Sequence, residues 1–208
     1  MIHPHTELRF INHDVGYGVV ATRFIPKGTI TWAMDKLDRV FSPFEIMEMD
    51  DVYQEIIARY TFRDRTGNFI LCWDNGRYVN HSFRSNCMTT AYDFELAIRD
   101  IHKGEELTDD YGYLNITEPF DCLPEKWSRR KRVHPDDLLY FHRQWDKKLK
   151  VAFRHFNHVE QTLLDLLGEE IEAKCRRIAE GKDKMDSILT CYYPGADGNT
   201  NGQEHARL

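Results

Sequence analysis

The sequence predicts an α+β protein, mainly β over its first half and helical after that. Three observations carry the prediction. Short β-type runs, broken by turn residues, fill the chain to about residue 116. After residue 134 the apolar residues change to helical spacing. Within the β part, "ATRFIPKG" (21–28) returns as "AIRDIHKG" (97–104), with Ala, Arg, Ile, Lys and Gly at the same places.

The elements follow in order. "ELRFI" (7–11) and "GVVATRFI" (18–25) read as strands by alternation and β-branching. A short helix begins at 42–45: Ser42 can cap it, Pro43 fits its first position and Glu45 completes a capping box. It is expected to run through "EIMEMDD" and on to "VYQEIIARY". "YTFRD", "RTGN" and "FILCW" are strand, turn and strand, and "CMTTAY", Asp93 and "FELAI" form a second hairpin. The two echoed segments are each a strand ending in a turn, where Gly28 or Gly104 can take a positive φ. Two copies are too few for a solenoid, so they are read as two equivalent corners of a compact β structure.

Beyond residue 134, Leu138, Phe141, Trp145, Leu149, Ala152, Phe153 and Phe156 keep helical spacing, with Asp136 and Asp137 where the helix dipole favours acids. A second helix places Leu163, Leu166, Leu167, Ile171, Cys175 and Ile178 on one face and stops near Gly181. The pair is expected to form a helical hairpin, packed on the β region or on another subunit; a homodimer through these helices is one arrangement this allows. The end, "PGADGNTNGQEHARL", is polar and rich in Gly and Asn, and is expected to be disordered.

Composition removes several classes. Hydrophobic residues at 41% and charged ones at 30% fit a soluble globular chain. No apolar run approaches a membrane span, and "MIHPHTELRF" has no basic stretch followed by an apolar one. The five cysteines are odd in number and contain no CxxC pair, which argues for free thiols in a reducing, intracellular compartment, cytoplasmic or nuclear. A net charge of −6 argues against nucleic acid as a direct partner and suits a basic one. The basic run "KWSRRKR" (126–132) is read as a solvated connector.

"NHSFRSNC" (80–87) concentrates chemistry-bearing residues. As a metal site it has His81 and Cys87 but nothing nearby to complete a tetrahedral set. As a nucleophile and base it lacks an orienting third group. On chemistry alone, Asn80 and Ser82 read as turn formers and Cys87 as a small buried hydrophobe.

Its neighbours change that reading. "GYG" (16–18), "GRYVNHSFRSNC" (76–87) and "IHKGEELTDDYGY" (101–113) occur in this order, with a variable stretch between the first two. The set resembles the SET-domain protein lysine methyltransferases over residues 7 to about 122. The resemblance implies small curved β-sheets with a knot-like crossing that brings positions 80 and 111 together. It divides the chain into a catalytic domain at 1–122 with an insert at about 35–65, a helical region at 123–192 and a tail at 193–208.

The same resemblance implies S-adenosylmethionine as cofactor. Gly16, Tyr17 and Gly18 would lie against its methionine part, Asn80 would hydrogen-bond that part, and His81 would offer backbone groups to the adenine. Arg77 and Phe120 are placed with them. Tyr111 is the expected catalytic residue, aligning a neutral lysine amine with the sulfonium methyl rather than acting as a strong base. Tyr113 matches a position that lines the lysine channel, although a plain core aromatic reads nearly as well. Asp109 stands where relatives often carry Phe or Tyr, a position tied to how many methyls are added.

Relatives often carry cysteine-rich segments before the core and a zinc site after it. Here Phe83 replaces the first zinc cysteine and only Cys122 remains downstream, so no zinc is expected. Phe120, Leu123 and Trp127, or the C-terminal helices, are the candidates to cover the cofactor instead. The implied function is methylation of a lysine in an exposed, basic protein segment, histone or histone-like among them. The rival reading is a SET-like interaction module without catalysis.

Overall fold

The computed structural model describes residues 1–126 and 128–195. Trp127 and the polar end from residue 196 lie outside the described residues. Strands β1 (Thr6–Asn12) and β2 (Gly16–Ala21) open the chain as an antiparallel pair. Then come β3 (Ile30–Ala33), β4 (Arg39–Phe41), α1 (Pro43–Met47), α2 (Asp51–Tyr60), β5 (Thr61–Arg63) and β6 (Phe69–Leu71). The remaining strands are β7 (Asn80–His81), β8 (Cys87–Thr89), β9 (Phe94–Ala97), β10 (Thr108–Asp109), β11 (Phe120–Asp121) and β12 (Arg132–Val133). Helices α3 (Asp137–Phe153) and α4 (Glu169–Ala179) close the order.

The strands form small separate sheets: β1–β2, β3–β9–β8, β4–β6–β5, β11–β12, and the parallel pair β7–β10. The two echoed corners face each other. Ile25 and Ile101 exchange both backbone hydrogen bonds at 2.9 Å, and Gly28 and Gly104 sit at φ +91° and +86°. The sequence echo is therefore one paired corner.

Two expected helices are shorter than their patterns. The run from Pro43 to Tyr60 breaks at 48–50, because Asp50 is extended and starts a new helix. The capping box of Ser42 and Glu45 is formed. In the C-terminal run, Leu164–Leu166 form a 3₁₀ turn and Gly168 turns the chain at φ +74° before α4 begins. Apolar residues continue through both breaks in the sequence, although α1 buries none of its residues and α2 only Ile57, so the spacing does not mark where the backbone resets.

The apolar face of α3 is spent on the chain's own β region. Leu138, Trp145, Leu149, Phe153 and Phe156 share one core with Ile30, Met88, Phe94, Leu96 and Tyr113. Each large side chain so buried contributes about 1.5–3 kcal/mol. The docking is close at the Gly28 corner, where a Cβ would stand 2.7 Å from His155 Cβ and 2.8 Å from the Ala152 carbonyl. Gln161 completes it, donating to the Gly28 carbonyl at 2.8 Å and accepting from Ile30 N–H at 2.9 Å. A second core, with Val19, Ile25, Trp32, Cys72, Cys87, Ile101 and Leu107, lies under the segments that carry the motifs. No helix among the described residues is long and apolar enough to cross a membrane.

Candidate active site

The parallel pairing of β7 with β10 puts Thr108 beside Asn80 and Asp109 beside His81. The segments expected to cross thus lie side by side. Asn86, fully buried, fastens them. Its side chain donates to the Glu106 carbonyl at 2.7 Å and accepts from Thr108 N–H at 2.8 Å. Ser82 N–H donates to the Asp109 carbonyl at 2.8 Å. The sequence assigns Asn86 no role of its own, because that role depends on a partner twenty residues away.

Beyond β10 a 3₁₀ turn carries Tyr111–Tyr113, capped by Asp110. Tyr111 points back to β7. Its hydroxyl donates to the Val79 carbonyl at 2.7 Å, and its N–H donates to His81 Nδ1 at 3.2 Å. Burial, then the nearby Asp109, pushes the Tyr111 phenol well above its ordinary range, so it stays neutral and acts as a hydrogen-bonding group. His81 is held neutral by burial, its pKa lowered to about 4. With Nδ1 accepting, the proton sits on Nε2, a buried atom without a protein partner. Its ring packs edge-on against Phe83, Tyr111 and Phe120.

Asn80 reaches the opening pair of strands. Its amide donates to the Tyr17 carbonyl at 2.9 Å and to Glu106 Oε1 at 2.7 Å. Gly18 is required here: a Cβ would stand 2.2 Å from Glu106 Oε1 and 2.8 Å from Asn80 Nδ2. Gly16 has φ +83° and open space around it. Glu106 had no role in the sequence reading, although it lies inside "GEEL"; its signal was a carboxylate in a motif quoted whole.

Two clefts share Tyr111 and Phe120 as a common wall. The first, about 930 Å³, is lined by Val15, Asn80, His81, Arg84, Glu106 and Lys126, among others. The second, about 630 Å³, is lined by Trp32, Arg77, Val79, Glu95 and Asp109, and its rim includes Ile46, Gln54 and Glu55 from the insert. Arg77 therefore faces the second cleft, not the one with Asn80 and His81, and its guanidinium reaches the Cys72 and Trp73 carbonyls at 3.4 Å. Tyr113 lines neither. It is 1% exposed and packs against Trp145, with its hydroxyl donating toward Asp109 Oδ1 at 2.8 Å and the Cys87 carbonyl at 3.0 Å. Tyr17 is exposed and enters the site through its carbonyl.

The segment after Tyr113 covers the first cleft with Phe120, Cys122 and Leu123. Glu125 anchors it to the Asn-His segment, accepting from Phe83 N–H at 2.9 Å and Ser82 Oγ at 3.2 Å. Phe83, where relatives carry a zinc cysteine, is instead stacked under Arg130, which also pairs with Asp110 and Asp137. Among the described residues no group of three or more His, Cys, Asp or Glu is arranged to hold a metal. Cys87 lies in the core with its thiol pushed up by burial, which leaves it no nucleophile's environment.

Residues 16–112 match the family model of the SET domain. The chain carries a SET domain. No curated protein matches it. SET domains are typical of S-adenosylmethionine-dependent protein lysine methyltransferases. The first cleft of this SET domain fits that cofactor on its own chemistry. Its volume lies in the range of small-molecule sites. Its lining pairs carboxylates, Glu105 and Glu106, with cations, Arg84 and Lys126, as a zwitterionic amino-acid part requires. The His81 Nε2–H is a buried donor left for a ligand or its water.

Proposed function

We propose that this SET domain methylates the side-chain amine of a protein lysine, with S-adenosylmethionine in the first cleft and the lysine entering by the second. The observation that carries the reading is the wall the clefts share: Tyr111, with its hydroxyl fixed on the Val79 carbonyl, borders both. The bound cofactor would supply a methyl on a positive sulfonium. Asn80, Glu106 and the Gly16–Gly18 backbone would seat its amino-acid part, and His81 would flank the rest. Free lysine, with a pKa of about 10.4, is mostly charged at neutral pH, so it enters as the ammonium and must give up a proton before its nitrogen attacks the methyl. Trp32, Val79 and Phe120 would exclude water from the cleft, and the neutral Tyr111 hydroxyl would orient the amine once its proton has left.

The insert that reaches the second cleft through Ile46, Gln54 and Glu55 suits a basic segment with apolar residues. The insert exposes Phe44, Met47, Val52 and Tyr53 beside Glu45, Glu48, Asp50, Asp51 and Glu55. A histone or histone-like tail is one such segment. The test is transfer of labelled methyl from S-adenosylmethionine to a mixture of core histones and whole-cell protein, with Tyr111→Phe as control. Label on lysine that disappears in the variant supports the reading. Cofactor binding without label in any protein favours the non-catalytic module.

A further inference from the structure

The inner end of the second cleft holds two acids. Glu95 is 9% exposed and Asp109 is 3% exposed, and both border the cleft with Tyr111 and Val79. Glu95 comes from β9, an otherwise apolar strand whose four residues are all buried. Its carboxyl hydrogen-bonds that of Asp109. Tyr113 donates to Asp109 Oδ1 at 2.8 Å, and Thr89 Oγ1 lies 3.4 Å from Glu95 Oε1. Among the described residues no lysine or arginine forms an ion pair with either acid. Three arginines line the same cleft: Arg77 is turned to backbone carbonyls, Arg59 lies over the Tyr60 ring at 5.5 Å, and Arg63 lies over the rings of Phe69 and Tyr193 at 5.0 and 4.7 Å.

We propose that Glu95 and Asp109 form a receptor for a cationic nitrogen that still bears N–H, so that this cleft selects an alkylammonium and rejects both its neutral isostere and its fully alkylated form. Two touching carboxyls in a buried site cannot both ionise, and they share a proton. Burial drives Glu95 up most strongly, while Asp109 is raised to about 6, so Glu95 keeps the proton and Asp109 carries the charge at neutral pH. An ionised carboxylate offers about four acceptor sites. Tyr113 and Glu95 use two. A buried charge requires a partner, and a charge-assisted N–H bond from a guest supplies it. A quaternary nitrogen has the charge but no N–H, and an alcohol has a donor but no charge.

The assignment of the guest as a lysine head rests on the methyltransferase reading, whereas the receptor itself is measurable without it. Amide NMR of the full chain at pH 7.5, titrated with n-butylammonium, n-butyltrimethylammonium and n-butanol, tests it. Saturable shifts at Val79, Asp109 and Tyr111 are expected with n-butylammonium, at least about tenfold tighter than with the other two, a gap of about 1.4 kcal/mol or more. Asp109→Asn should abolish the preference. Glu95→Gln should keep it, because the amide can donate to Asp109 as the acid does. Equal binding of the three probes, or an unchanged preference in a folded Asp109→Asn, overturns the proposal. If Asp109→Asn does not fold, the three-probe comparison in the native chain decides. Selective n-butylammonium binding in a chain that does not bind S-adenosylmethionine would leave the receptor standing and remove the methyltransferase reading.

Discussion

The hydroxyl of Tyr111 donates a 2.7 Å hydrogen bond to the carbonyl of Val79, the residue just before Asn80. One bond thus ties the proposed catalytic side chain to the segment that reaches the glycine strand, and it fixes the wall between the two clefts. Tyr111→Phe removes that bond and nothing else of size. Turnover should fall by about 10²-fold or more, the usual cost of one positioned donor. Cofactor affinity should change by less than about threefold, or about 0.65 kcal/mol. Single-turnover kinetics and a binding titration separate the two.

Asn80→Ala should act on binding. It leaves the Tyr17 carbonyl and Glu106 without their donor. Losing a half-buried amide of this kind costs about 1–3 kcal/mol. Cofactor affinity should drop by about tenfold or more, read by calorimetry, with a lower melting temperature.

Gly18→Ala should be worse for the fold than its size suggests. The new methyl would stand 2.2 Å from Glu106 Oε1, 2.8 Å from Asn80 Nδ2 and 2.9 Å from Ile11 Cγ1. Overpacking of this sort costs about 1–3 kcal/mol. Gly16→Ala meets no atom within 4 Å but must hold φ +83°, which costs about 1 kcal/mol. Thermal melts of the two variants should show the larger loss at Gly18.

His81 predicts a pH dependence with a definite sign. Burial lowers its pKa from 6.5 to about 4. Between those values the unfolded chain binds the proton and the folded chain does not, so this group makes stability fall as pH drops from 6.5 toward 4. His3 acts in the same direction and Asp109 in the opposite one, so a difference is needed to isolate His81. His81→Gln should melt with a shallower acid dependence than the native chain across that window. Equal slopes would show that the ring is already charged in the fold.

Much of the frame was legible because local chemistry fixed it. The capping box at Ser42, the turn at Asp93 and the α3 face each depend on residues a few positions apart. Helix lengths were less legible, since Asp50 and Gly168 interrupt apolar patterns that continue past them. At the site, the glycines, Asn80, His81 and Tyr111 were readable as an ordered set, and the fold brings them together. Glu95, Glu106, Glu125 and the true place of Arg77 were not. Each is defined by a contact with a distant segment, and a single carboxylate or guanidinium in a strand or turn carries no local mark of its partner. Tyr113 shows the same limit: its spacing from Tyr111 suits the cleft, but Asp109 and Trp145 draw it into the core.

The central claim is that the cleft between Asn80, His81 and Glu106 seats S-adenosylmethionine. Calorimetric titration of the purified chain with S-adenosylmethionine, beside Asn80→Ala, tests it most directly. Saturable one-to-one binding that weakens about tenfold or more in the variant, about 1.4 kcal/mol, is the predicted result. No heat of binding at millimolar cofactor, with the chain folded, would contradict it.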